Sequence, residues 1–119
     1  MTKPVTQRGY EIVRIPEVQA VSCPCGSTRR AFADVEDAPA SLHVVDIDRE
    51  ARTHYHKKLT EIYYVLEGSG QMQLDDERVE VGPGSTILIR PGCRHRAIGQ
   101  MKILNVPIPR FDPDDEWFD

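Results

Sequence analysis

Three of the four histidines of this chain fall into two short segments, Thr53-His54-Tyr55-His56 and Cys93-Arg94-His95-Arg96. Side chains on a strand alternate between its faces, so His54 and His56 point the same way and can share one metal ion. Glu61 lies five residues beyond His56. On one continuous strand that odd offset would turn its carboxylate away from both imidazoles. It joins them only if the chain reverses within Lys57-Lys58-Leu59-Thr60, and an apolar strand does restart at Ile62. The pattern therefore predicts a hairpin with ligands on both arms. His95 stands just past Pro91-Gly92, a turn that sets where the next strand begins and where the histidine points. Three neutral imidazoles and a carboxylate suit one divalent transition ion: iron, manganese, nickel, zinc, cobalt or copper. A six-coordinate ion would keep positions open for water, substrate or dioxygen. Open positions make a metal site reactive and not merely structural. Metal affinity should fall on acidification, because imidazoles bind metal only when neutral.

The elements that must position these groups read as short strands. Apolar runs recur at Leu42–Ile47, Ile62–Leu66, Gln71–Leu74, Val79–Val81, Thr86–Ile89 and Lys102–Val106. Turn residues separate them at Gly68-Ser69-Gly70, Asp75-Asp76, Gly82-Pro83-Gly84 and Pro91-Gly92. This spacing predicts an all-β sandwich or barrel. No window carries a sustained helical period of apolar residues. Pro39 limits any helical turn in residues 34–40. Upstream, weak strands are expected at Tyr10–Ile15 and Arg29–Ala33, around a turn at Ser22-Cys23-Pro24-Cys25-Gly26. Residues 107–119 hold three prolines and five acidic residues, with Phe111, Trp117 and Phe118 among them. Such a tail is expected to be irregular, its aromatics docking on the barrel or on a partner subunit.

The two histidine segments resemble the paired motifs of the cupin superfamily, in its small single-domain form. The first motif runs glycine, five residues, histidine, one residue, histidine, three or four residues, glutamate, six residues, glycine. His54, His56, Glu61 and Gly68 meet every spacing, with Asp48 in place of the opening glycine. The second runs glycine, five residues, proline, one residue, glycine, two residues, histidine, three residues, asparagine. Gly84, Gly92 and His95 match it, while Arg90 replaces the proline and Gly99 the asparagine. The resemblance covers residues 48–99, and its departures fall in turns and not on ligands. It implies a double-stranded β-helix or jelly-roll barrel with one divalent metal inside, held by His54, His56, Glu61 and His95. It also implies a frequent homodimer, and it says nothing of the substrate. The domain is then a single unit over 1–119. Its barrel core spans about 40–106, its N-terminal strands 8–35 and its acidic aromatic tail 107–119.

Other groups stand near this constellation. Tyr63 shares strand parity with Glu61, and Val65 continues that face, so both are expected along the cavity. Cys93, two residues before His95, shares its face if the segment is extended. His43 is either a hydrogen-bonded barrel histidine or a pocket residue. Cys23 and Cys25 read either as half of a zinc site or as a tight turn with two small buried thiols. Arg29, Arg30, Arg90, Arg94 and Arg96 offer either a clamp for a substrate carboxylate or surface pairs with the acidic tail. The sequence does not choose between them.

Composition narrows the function classes. The 119 residues suffice for one domain, and 15 basic against 19 acidic residues argue against a nucleic-acid footprint, which would need a basic face. No apolar run approaches the roughly 18 residues of a membrane span, and the first 15 residues carry no run of signal-peptide length. A cytoplasmic protein is expected, with its three cysteines reduced. No nucleophile or phosphate-loop pattern is present. The remaining classes are three: a metal-dependent enzyme on a small polar molecule, by oxygenase, isomerase or lyase chemistry; a non-catalytic binding or sensing barrel; and a structural metal site. Four intact ligands favour the enzyme.

Overall fold

Period-two burial is the organising feature. In the computed structural model, which describes residues 9–119, the strands are β1 (Val21–Cys23), β2 (Gly26–Ala31), β3 (Leu42–Ile47), β4 (Thr60–Gly68), β5 (Gly70–Leu74), β6 (Glu77–Val81), β7 (Thr86–Ile89), β8 (His95–Ile98) and β9 (Met101–Ile108). They form two antiparallel sheets, one in the order β1-β2-β3-β9-β4-β7 and the other β6-β5-β8. The larger sheet sends Ile47, Val65, Ile89, Met101 and Ile103 inward, and the smaller sends Met72, Val81 and Ala97 to meet them. Alternation is clearest on β9, where Met101, Ile103, Asn105 and Pro107 are buried in turn. Among the described residues no helix is long and apolar enough to cross a membrane.

The fold is the all-β jelly-roll barrel expected. Strands β3 and β7 have the predicted bounds, and the other predicted central strands lengthen by one to four residues as ladder pairing continues into the turns. The upstream expectation needs correction. Tyr10–Ile15 is not a strand: Tyr10, Ile12 and Val13 are exposed, and the chain there leads into a 3₁₀ turn at Ile15–Glu17 containing Pro16. The strands that flank the Cys23-Pro24-Cys25-Gly26 turn are instead β1 and β2. The predicted N-terminal segment begins at residue 8, outside the described residues. Residues 34–40 form turns without a helix.

Two glycines show why the motif spacings hold. Gly68 has φ +81°, and a Cβ there would collide with the carbonyl oxygen of Gln100, so β4 can turn into β5 only through glycine. Gly92 has φ +91°, and its N–H donates to the His56 carbonyl at 2.7 Å. The turn before His95 is thereby tied directly to the His54–His56 segment.

Candidate metal centre

Residues 54–56 form an extended strip between two others. His54 and His95 exchange backbone hydrogen bonds of 3.1 and 2.9 Å, and Tyr55 exchanges bonds of 3.0 and 2.9 Å with Trp117 of the tail. This alternation aims the His54 and His56 rings the same way, with centroids 5.2 Å apart. The chain does bend at Lys57 and Lys58, as the offset of Glu61 required. The expected hairpin is nevertheless absent. β4 pairs with β7 and β9, whereas the strip pairs with His95 and the tail, because each arm finds its backbone partners elsewhere. The ligands therefore converge from separate parts of the barrel.

One candidate ligand atom from each of His54, His56, Glu61 and His95 falls in a group whose members all lie within 4.8 Å of one another. Glu61 Oε1 lies 3.0 Å from Nε2 of both His56 and His95. The other nitrogens explain this convergence. His56 Nδ1 faces the Asp115 carbonyl at 2.6 Å, His95 Nδ1 the Cys93 carbonyl at 2.9 Å and His54 Nδ1 the Arg52 carbonyl at 3.4 Å. A carbonyl only accepts, so each Nδ1 carries the proton and each Nε2 turns a lone pair toward the centre. Lone pairs and a carboxylate oxygen facing one another call for a cation between them. Moreover, buried His56 Nε2 makes no well-aligned hydrogen bond even to Glu61 Oε1 at 3.0 Å. The residues fit a divalent ion.

The buried groups differ in the charge they favour. Burial, with the neighbouring His95 acting the same way, pulls the His54 imidazole down to about 4, so it stays neutral. Burial also pulls on His56, but the Glu61 carboxylate outweighs it and raises that imidazole. Burial opposes ionisation of Glu61, yet the adjacent His56 and His95 hold its carboxyl well below the usual carboxylate range. Its second oxygen accepts from Asn105 Nδ2 at 2.8 Å.

The centre opens on a cavity of about 130 Å³. His54, His56 and Glu61 line it with His43, Tyr63, Asn105, Arg30 and others.

Residues 41–106 match the cupin domain family, more than half of the chain. This chain is a cupin. Among solved structures it is similar to a protein from Planctomyces limnophilus, at 36% identity and TM-score 0.87, covering 93% of this chain and 98% of that one. It also resembles Pac13 of Streptomyces, described as a nucleoside dehydratase, at 21% identity and TM-score 0.80, covering 91% and 89%. That likeness speaks to the fold alone. An uncharacterized Methanocaldococcus jannaschii protein, MJ1618, is 40% identical over 76 residues, 60% of this chain. The match spans 61% of that relative's length.

Not every expected pocket residue of this cupin reaches the cavity. Tyr63 and His43 do. His43 also meets its other expectation, with Nε2 2.9 Å from Ser41 Oγ and its ring against Phe111 at 5.2 Å. Val65 is fully buried in the apolar core, because its position on β4 falls beneath the smaller sheet. Cys93 likewise packs against the core, its N–H donating to the Arg90 carbonyl at 3.2 Å, and its Sγ faces the Arg94 carbonyl. Cys23 and Cys25 do line the cavity, with sulfurs 2.8 Å apart.

Sequence reasoning missed Asn105 and Asp115. Asn105 was legible as the one polar residue on the buried parity of β9. The Asp115 carboxylate accepts the backbone N–H groups of Lys57, Lys58 and Leu59 at 3.0, 2.9 and 3.0 Å, and its carbonyl holds His56. The tail thus docks on the barrel. Lys57 lies 3.6 Å from the Trp117 ring, and Arg94 lies over Tyr55 and pairs with Asp119 at 2.9 Å.

Proposed function

We propose that this cupin is a metal-dependent enzyme acting on a small polar molecule, with one divalent transition ion held by His54, His56, Glu61 and His95. The observation that carries the reading is the convergence of one ring nitrogen from each of His54, His56 and His95 with the Glu61 oxygen, while each Nδ1 faces a backbone carbonyl. Such an ion would supply Lewis acidity to a substrate oxygen, or electron transfer if it is redox-active. The chain's own residues prepare the rest. Asn105 fixes the Glu61 carboxylate from the side away from the histidines. Burial and the Glu61 charge push the Tyr63 hydroxyl well up, so it stays protonated and can donate to a bound oxygen. The apolar and polar groups lining the cavity are of the mix that small-molecule sites use.

The test is elemental analysis of protein supplemented with iron, manganese, nickel, cobalt, copper or zinc at neutral pH. About one ion per chain is expected, and no bound metal with any of them would end the reading. A second copy of the chain is the proposed partner: among the described residues β1 and β7 are the outer strands of the larger sheet, and exposed Tyr10, Ile12 and Val13 lie upstream. A monomer mass in solution scattering would contradict that.

A further inference from the structure

Away from the histidines, one wall of the cavity is a single row across four strands. Register places Arg30 of β2 beside His43 of β3, His43 beside Asn105 of β9, and Asn105 beside Tyr63 of β4. All four line the cavity, as does Thr28, two residues before Arg30 on the same face. Three polar atoms in this wall are buried and lack a hydrogen-bond partner: Thr28 Oγ1, Arg30 Nε and Asn105 Oδ1. Thr28 is 3% exposed and Asn105 9%. Unpartnered polar atoms at such depth are costly and rare, and three in one wall need a reason.

Arg30 is the key to it. Among the described residues no carboxylate lies within ion-pairing distance of its guanidinium, which sits 4.6 Å from the Phe111 ring centroid. The other arginines on the cavity are engaged. Arg96 pairs with Glu50 at 2.7 Å and bonds Gln73, while Arg52 bonds the Asp119 carbonyl and lies over Phe118.

We propose that this wall binds the carboxylate of a small hydroxy acid, with Arg30 as its anchor. The planar guanidinium fork matches a carboxylate, and Thr28 Oγ1 adds a hydroxyl donor beside it. Asn105 Oδ1 is a carbonyl oxygen and only accepts, and the bond from Nδ2 to Glu61 fixes which end of the amide it is. The ligand must therefore bring a donor there, and a hydroxyl is that donor. A cavity of about 130 Å³ admits an acid of a few carbons; drug-sized pockets run to roughly 300–1,000 Å³. This inference rests on the proposed metal centre for its chemistry but not for its binding.

The experiment is calorimetric titration of the full chain with glycolate, with its neutral isostere glycolamide and with inorganic phosphate, with and without added zinc. Glycolate is expected to bind at least about tenfold tighter than glycolamide. Arg30→Gln should erase that preference, and Arg30→Lys, which keeps the charge without the fork, should retain part of it. Equal binding of glycolate and glycolamide overturns the proposal, and so does an undiminished preference in Arg30→Gln. Should Arg30→Gln fail to fold, Arg30→Lys decides, and a preference undiminished in it overturns the fork as the anchor. Phosphate binding tighter than glycolate with the same Arg30 dependence overturns the carboxylate assignment. A chain that takes up no metal yet keeps the Arg30-dependent preference sinks the metal centre and leaves this inference standing; metal uptake without the preference does the reverse.

Discussion

The two polar walls of the cavity are built on opposite rules. Around the histidines, each Nδ1 has a backbone carbonyl, and the second Glu61 oxygen has Asn105. What remains is a cluster of ligand atoms facing inward. Around Arg30, by contrast, the side chains leave Thr28 Oγ1, Arg30 Nε and Asn105 Oδ1 without partners. The first wall is satisfied on its outside and turns ligand atoms inward; the second is only partly satisfied, with three polar atoms left over. A ligand set needs outer contacts that orient it before the ion arrives, whereas a substrate wall needs groups held in place but unspent.

Breaking the first wall should have the largest effect. His56→Ala is expected to lose most of the bound metal while the barrel stays folded, since the apolar core comes from strand residues and not from the ion. Elemental analysis beside circular dichroism checks this. Full occupancy in the variant would remove His56 from the ligand set, and an unfolded variant would make the site structural.

Loosening the contacts behind that wall should cost less. Asp115→Ala removes the acceptor of three backbone N–H groups and frees the carbonyl that orients His56. A loss of about 3 kcal/mol in stability and about 10–100-fold in metal affinity is expected. Burial opposes ionisation of Asp115, but the N–H groups of Lys57, Leu59 and Lys58 hold its carboxyl below the ordinary value. A depressed folded pKa means stability that is full above the unfolded value of about 3.9 and lost as pH falls below it. The gap between wild type and Asp115→Ala in chemical denaturation should therefore be wide at neutral pH and narrow below about pH 3.9. A gap unchanged across that range would show that the carboxylate charge is not what holds the strip.

The smallest effect sharpens the contrast at the rim. A hydrogen bond from Cys25 overrides burial and lowers the Cys23 thiol to about 6, whereas burial raises Cys93 in its core turn. Alkylation of Cys23 by iodoacetamide should rise through a midpoint near pH 6, with Cys93 unreactive there. Peptide mapping showing equal labelling of both thiols at that pH would contradict the distinction.

Much of the first wall was legible because cupin motif spacing encodes it, and strand parity paired His54 with His56. The barrel was legible because short apolar runs recur between turn residues such as Gly82-Pro83-Gly84 and Pro91-Gly92. The second wall was not, since it depends on register between strands remote in sequence. Nothing local ties Arg30 to His43, or His43 to Asn105. Arg30 is one of five arginines with no sequence feature to set it apart, whereas in the fold Arg94 pairs with the tail and Arg96 with Glu50. Asp115 was hidden because a tail rich in proline and acid reads as irregular, and its partners are backbone groups with no sequence signature. Val65 and Cys93 show the limit of parity itself. A residue can face inward and still meet the apolar core in place of the cavity.

The central claim is that an accessible cation belongs among three Nε2 atoms and Glu61. Anomalous diffraction from crystals of the metal-loaded chain tests it most directly. The account predicts one peak within about 2.0–2.2 Å of His54, His56 and His95 Nε2 and a Glu61 oxygen, with at least one water or ligand also bound to it. No peak between these residues would contradict the claim, and a closed tetrahedron of the four side chains with no water or ligand on the ion would leave binding without catalysis.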